Sequence, residues 1–366
     1  MNAMDMPFSH LLVGSILKAS ELIPLILLMG WQGFLVMIMR SDTLAALAPD
    51  SRKLIVRYDR WLTIGALAVI LAATAVGFGH SSMMMSRRPL SGLGPLFWPI
   101  LSKTHFGNVI ISQSLVWICF ALVWSLRSAA PDSMTKGRAL LLGLGAIWCL
   151  TQSLSGHAAD QGNWTVDVLA DWLHLLAVSF WVGGVAALSI LTPALMRRAE
   201  PAAARALLIR LLERFSPMAM TCVAVLITAG LFTAHQRGVA WLTPLQSNYG
   251  QVVAFKVVLT ILAVGLGGFS RFIVLPALLR EGNGRTPINQ FRRAIRVEAG
   301  VVLLVIMVAA VLTQTPPAGN VSLTTGPMIH TPAPGSSMDH SHMNHSSGGM
   351  APMDDHSEMP PGSSMD

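Results

Sequence analysis

Eleven histidines and 21 methionines are the residues of this 366-residue chain with the most chemistry to offer. Neutral imidazole is the commonest metal ligand, and thioether sulfur is a soft donor that selects Cu(I) over hard cations. The densest run is Met338-Asp339-His340-Ser341-His342-Met343-Asn344-His345, followed by Met350, Met353 and His356. It lies in residues 314–366, which hold seven methionines and five histidines, no Lys or Arg, and much Ser, Gly and Pro. Such a composition buries too little apolar surface to offset its ordering entropy, so a disordered tail is expected, with no core for methionine to fill. Its side chains read as a copper-collecting arm for Cu(I) or Cu(II), with zinc and nickel as the competing metals for a His-rich tract.

The other six histidines depend on what positions them. The chain is 53% apolar and only 12% charged, against about 25% charged in soluble domains, which excludes a water-soluble globular enzyme. Apolar runs long enough to cross a hydrocarbon core of roughly 30 Å recur along it. They predict spans over 11–39, 61–79, 106–126, 139–154, 168–192, 217–236, 251–272 and 297–313. The expected fold class is therefore an all-α integral membrane protein. It consists of an eight-helix transmembrane domain over 1–313 and the disordered Met/His-rich tail over 314–366. The first span lacks a preceding basic segment and is too long for a signal-peptide core, so it is expected to be retained. Cys119, Cys149 and Cys222 all fall inside apolar runs and offer neither a disulfide framework nor a CxxC metal site. The 193–216 segment, with RALLIRLLERF at helical spacing, reads as an amphipathic interfacial helix.

Lys and Arg alternate from one connection to the next: 19 fall in the 40–60, 127–138, 193–216 and 271–296 segments, and four in the intervening ones. The positive-inside rule puts the crowded segments in the cytoplasm and both termini in the periplasm of a bacterial inner membrane. The net charge of +7 is thus a topology signal and no indication of nucleic-acid binding.

With that orientation His10, His80, His105, His157, His174 and His235 all fall on the external side. Each taken singly suits a headgroup-level aromatic. Together they suggest a metal-entry ring. Met83, Met84 and Met85 follow His80 in an external loop and add three thioethers, or else dip into the interface as hydrophobes. In the fifth span Asp171 and His174 are i and i+3 on one helix face, with His174 about 9 Å below the span start. A carboxylate there fixes the tautomer of a metal-binding imidazole. The pair Gly183-Gly184 permits close helix approach. Lys18 and Glu21 are also i and i+3, with Glu21 about 16 Å from His10 along the axis; the pair is either functional or a self-neutralising structural contact. Lys256 snorkels.

Three segments, DWLHLLAVSFWVGGVAAL at 171–188, RFSPMAMTCVAVLITAGLF at 214–232 and NYGQVVAFKVVLTILAVGLGGFSRF at 248–272, resemble the copper resistance protein D (CopD) family of bacterial inner-membrane proteins. The resemblance implies copper homeostasis, movement of copper between periplasm and cytoplasm, and a periplasmic CopC-type copper carrier as partner. It carries a role only to His174 and its neighbours. The tail lies outside it, as a substitute for such a carrier or a docking arm to it.

A copper permease without enzymatic activity is the leading expectation. No phosphate-binding loop of the GxxxxGK[ST] kind is present, so this chain does not hydrolyse ATP to drive the ion. Two other classes stand beside it: a b-type haem protein using His80, His157, His174 and His235, and a copper-binding scaffold without transport.

Overall fold

The computed structural model describes residues 8–87, 89–126, 131–156, 159, 162–236, 248–280 and 286–312. The tail, with Met338, His340, His342, Met343, His345, Met350, Met353 and His356, and likewise His157, lies outside the described residues. Helix α1 (Phe8–Gly33) runs into a π turn at Phe34–Ile38 and is followed by short α2 (Ser41–Ala45) and long α3 (Pro49–Ser86). Next come α4 (Phe97–Lys103), α5 (His105–Leu126), α6 (Pro131–Leu154), α7 (Val166–Met196) and α8 (Pro201–Gln236). Helix α9 (Asn248–Phe269) continues through a second π turn at Ser270–Val274 into α10 (Leu275–Arg280), and α11 (Thr286–Leu312) ends the bundle. Eight of these helical stretches are long and apolar enough to cross a membrane, in the order the hydropathy pattern predicts.

The outward surfaces are apolar, as lipid requires. On α5 the exposed Leu115, Ile118, Leu122 and Leu126 recur at helical spacing along one stripe. One end of the bundle is a basic face, where α1 ends and α3, α6, α8 and α11 begin. The other is a histidine face, with His105 opening α5 and His235 one residue from the end of α8.

The helix ends depart from the sequence-based spans. Helix α3 has 38 residues, about 57 Å of helix at 1.5 Å per residue. It therefore absorbs much of the basic 40–60 segment at one end and Met83–Met85 at the other. The three methionines thus form the last turns of a helix and are not a loop. Helical hydrogen bonding continues past the apolar run because Pro49 stands at the first helical position with its φ already set, and no breaker intervenes before Arg87 at φ 54°. Likewise RALLIRLLERF is no separate interfacial helix. It is the first half of α8, and it buries Leu208, Leu211, Leu212 and Phe215 in the core. Arg205 Nε also donates to the Leu278 carbonyl, at 2.7 Å.

Helix α7 is the hub of the bundle and packs against α1, α6, α8 and α11. Its start is capped by Thr165, whose hydroxyl accepts from the Val168 N–H at 3.3 Å, with Asp167 in the first turn complementing the helix dipole. The seam with α1 is backbone on backbone: a Cβ at Gly183 would stand 2.5 Å from Gly30 Cα and 2.6 Å from the Ile26 carbonyl oxygen. Between membrane helices there is no hydrophobic drive to associate, so close packing of small residues supplies the attraction. Gly184, one residue on, faces the Phe215 ring of α8. Towards the basic face, Asp59 of α3 is buried and accepts from Trp31 Nε1 at 2.9 Å and Gln32 Nε2 at 3.0 Å on α1. At that face Arg214 of α8 donates to Asp42 Oδ2 at 2.6 Å, Thr43 Oγ1 at 2.8 Å and the Ile38 carbonyl at 3.1 Å. The hydrogen bond from Arg214 holds the Asp42 carboxyl below its ordinary value, so the clasp is intact at neutral pH and is lost in acid as the carboxylate protonates.

The α1–α7 seam makes a direct prediction. Gly183→Ala forces the two backbones apart and lowers stability by about 1–3 kcal/mol. Gly265→Ala on α9, where nothing lies within 4 Å of the added Cβ, is neutral. Thermal unfolding of the two detergent-solubilised variants checks the contrast.

Candidate functional site

Polar side chains are rare within the crossings, and three of them share one arrangement: each faces a glycine on the neighbouring helix. The Glu21 carboxyl of α1 lies 3.5 Å from the position a Cβ would take on Gly77 of α3. The His174 ring of α7 lies 3.8 Å from the corresponding point on Gly230 of α8, and Glu298 Oε1 of α11 lies 3.2 Å from that on Gly267 of α9. With no side chain of its own, each glycine lets the polar group come close to the neighbouring backbone. At Gly230 an added methyl would be in ordinary contact, whereas at Gly267 it would crowd the carboxylate.

His174 is the ninth residue of α7, about 12 Å in from the histidine face, and is half-buried. Asp171 lies one turn nearer that face and is also half-buried. Between them Trp172 Nε1 donates to the Ala146 carbonyl of α6 at 2.8 Å, which fixes the rotation of α7 in this region. The helix faces are thereby sorted, with Trp172 towards α6 and His174 towards α8.

Lys18 and Glu21 form the second polar group. Lys18 Nζ donates to Gln152 Oε1 of α6 at 2.6 Å and stands 3.6 Å from Glu21 Oε2. Gln152 is the third residue from the end of α6, so the ammonium sits near the histidine face, higher than its position along α1 suggests. Helices α1 and α3 are antiparallel, and contact between Glu21 and Gly77 therefore places His80 one turn nearer the histidine face, at the level of Lys18. His105, exposed at the start of α5, brings Nε2 to 3.1 Å from the Leu154 carbonyl. A carbonyl only accepts, so Nε2 carries the hydrogen, and in the neutral ring the lone pair is then on Nδ1.

The remaining residues expected at the site are dispersed. His10 lies in the first turn of α1, its side chain outside the described residues. Met83 is half-buried, Met84 and Met85 are exposed, and His235 is exposed near the end of α8. Among the described residues no three His, Cys, Asp or Glu side chains converge into a metal-holding group. His105 and His235 lie at the same face of the bundle, on the ends of different helices.

Two participants escape a reading by hydropathy. Gln152 is uncharged and sits at a span end, where polar residues are ordinary. By hydropathy Glu298 stands at the edge of an apolar run that starts at 297, yet α11 begins at Thr286 and Glu298 is its thirteenth of 27 residues, near the middle of the helix and 2% exposed. The signal for Glu298 is that the basic stretch before it, 291–296, keeps helical spacing.

The sequence model of copper resistance protein D matches residues 209–312, and that of the copper resistance protein D-like N-terminal domain matches 12–167. The chain belongs to the copper resistance protein D family. The two CopD-family matches include Lys18, Glu21, His80, His105, Gln152, Gly230, His235 and Glu298. They leave 168–208, most of α7, between them, so a role for His174 rests on its geometry. The copper transport protein CutJ of Bacillus subtilis (strain 168) is 29% identical over 232 residues, 62% of this chain and 40% of CutJ. The chain thus spans less than half the length of that curated relative. No solved structure matches it.

The Lys18 network predicts that Gln152→Leu, which removes the ammonium's acceptor, destabilises this CopD-family bundle by about 1–3 kcal/mol. Gln152→Glu, which keeps an acceptor, is close to neutral. Unfolding midpoints in a single detergent decide the point.

Proposed function

We propose that this chain moves copper ions across the bacterial inner membrane, with the basic face in the cytoplasm and both chain ends in the periplasm. The CopD-family sequence and the eight apolar helices support a copper-related membrane role. The observation that carries transport is His174, a half-buried imidazole about 12 Å inside the bundle, with Asp171 one turn above it and Gly230 of the neighbouring helix beside its ring. An ionisable group this deep is costly to retain in a membrane helix and reads as functional by default.

In this mechanism the Met/His tail over 314–366 collects copper in the periplasm, alone or from a CopC-type carrier. The helix-end groups His10, His80, His105, His157, His235 and Met83–Met85 receive it as a set of exchangeable sites. His105, with Nε2 committed to Leu154, offers Nδ1. Neutral imidazole at His174 then takes the ion inside the bundle, and the Asp171 carboxylate holds the ring in the tautomer that presents a lone pair. Glu21 and Glu298, each facing a glycine, offer carboxyl oxygens to a cation within the crossings. The chain supplies binding sites at successive depths, and net movement follows the copper gradient or a coupled ion.

Copper uptake into proteoliposomes tests the proposal. The wild-type chain is expected to load vesicles well above protein-free controls. His174→Ala should reduce the rate about 10-fold, by analogy with the loss of metal-ligand support, and Asp171→Asn should reduce it less. His235→Ala, at an exposed site with neighbours to replace it, should stay near wild type. Uptake no faster than in empty vesicles contradicts transport and leaves a copper-binding scaffold, and a Soret band in the purified protein moves the reading to haem. Equal rates in His174→Ala and wild type reduce His174 to packing.

A further inference from the structure

Two grooves on the described surface lie at the basic face, and neither belongs to the polar groups above. The first, of about 740 Å³, follows α3 and is lined by Arg52, Lys53, Arg57, Arg60, Trp61 and Ile64. The second, of about 590 Å³, follows α11 and is lined by Asn289, Arg292, Arg293, Arg296 and Val297. Each is one helix face read along its axis: positions 52, 56, 60 and 64 form one row on α3, and 289, 293 and 297 one row on α11.

Chemistry changes along both rows in the same order. Helix α3 presents cations first, then Trp61, which is 65% exposed, then exposed Ile64 and, two turns deeper on the same face, exposed Leu71. Helix α11 presents Arg292, Arg293 and Arg296, then exposed Val297, Leu303 and Leu304. Cation, interfacial aromatic and aliphatic wall, in that sequence towards the bilayer centre, match the headgroup, glycerol and acyl levels of a phospholipid.

The cations are poorly compensated. Lys53 pairs with Asp50 at 3.5 Å, both side chains being more than 80% exposed. Arg52 Nε donates to the Leu47 carbonyl and Arg296 Nε to that of Arg292. Arg57, Arg60 and Arg293 make no hydrogen bond or ion pair among the described residues. Asp59, the acid nearest in sequence to the α3 row, is turned inward to Trp31 and Gln32.

We propose that the two grooves are binding sites for anionic phospholipid, with phosphates held by Arg57 and Arg60 on α3 and by Arg293 and Arg296 on α11, and acyl chains laid along the aliphatic wall below. A small soluble anion needs the cations but has no use for Trp61, Ile64 or Val297. Both helices pack on α1, so lipid bound in the two grooves braces the helix that carries Lys18 and Glu21 from either side. This inference is independent of copper transport.

The test uses the full chain in detergent, followed by thermal unfolding and native mass spectrometry. Diphosphatidylglycerol, phosphatidylcholine and inorganic phosphate are titrated separately. Diphosphatidylglycerol is expected to raise the unfolding midpoint and to remain bound at two copies per chain, while the other two do neither. Arg57→Gln with Arg60→Gln should remove one copy and weaken binding about 10-fold or more, since each cation near an anionic headgroup contributes roughly 1 kcal/mol. Arg293→Gln with Arg296→Gln should remove the other. Arg87→Gln with Lys103→Gln, at the histidine face, should change nothing. Equal stabilisation by phosphatidylcholine or by phosphate overturns the proposal, as does retention of both lipids in the groove variants or equal loss in the histidine-face control.

Discussion

The approach of Gly30 to Gly183 is the contact on which the rest of the bundle depends. Two backbones meet there without side chains between them, and in lipid this packing is the main source of helix association. It binds α1 to α7 in parallel. Because α7 also packs on α6, α8 and α11, fixing that one seam fixes the rotation of the hub. Trp172 is then directed to Ala146 on α6 and His174 to Gly230 on α8. On α1 the same registration directs Glu21 to Gly77 of α3 and Lys18 to Gln152 of α6.

Polar groups inside the crossings follow two different physical solutions. Asp59 is fully answered, taking hydrogen bonds from Trp31 and Gln32, and is a structural lock between α1 and α3. Glu21, His174 and Glu298 instead lie against glycines of the neighbouring helix, Glu21 also standing 3.6 Å from the Lys18 ammonium. The first solution stabilises a fixed structure. The second brings a ligand-capable atom close to the neighbouring backbone.

Much of this was legible in the sequence. The eight apolar runs gave the number and order of the crossings, and Gly183-Gly184 marked the close approach. The pairing of Lys18 with Glu21 followed from their i and i+3 spacing. What hydropathy could not supply was where helices continue beyond the apolar run. Basic residues at 52–60 and 291–296 lower the local average while keeping perfectly good helical geometry, so α3 and α11 extend past their predicted starts, and Glu298 moves from a margin to the middle of a helix. Partners across helices were equally hidden, because Gln152, Gly77, Gly230 and Gly267 carry no charge and acquire meaning only from the side chain opposite. One-sided placement of the histidines fixes their depth but not their lateral position, so it could not say which of them meet.

Whether copper meets the α7 imidazole inside the bundle is decided by X-ray absorption at the copper edge. The measurement uses a chain ending at Leu312, loaded with one equivalent of Cu(I), so that tail ligands do not contribute. Imidazole nitrogen is expected among the copper ligands, and is expected to be lost in His174→Ala. An unchanged spectrum in that variant, or a copper ion ligated by sulfur alone in both, would contradict it.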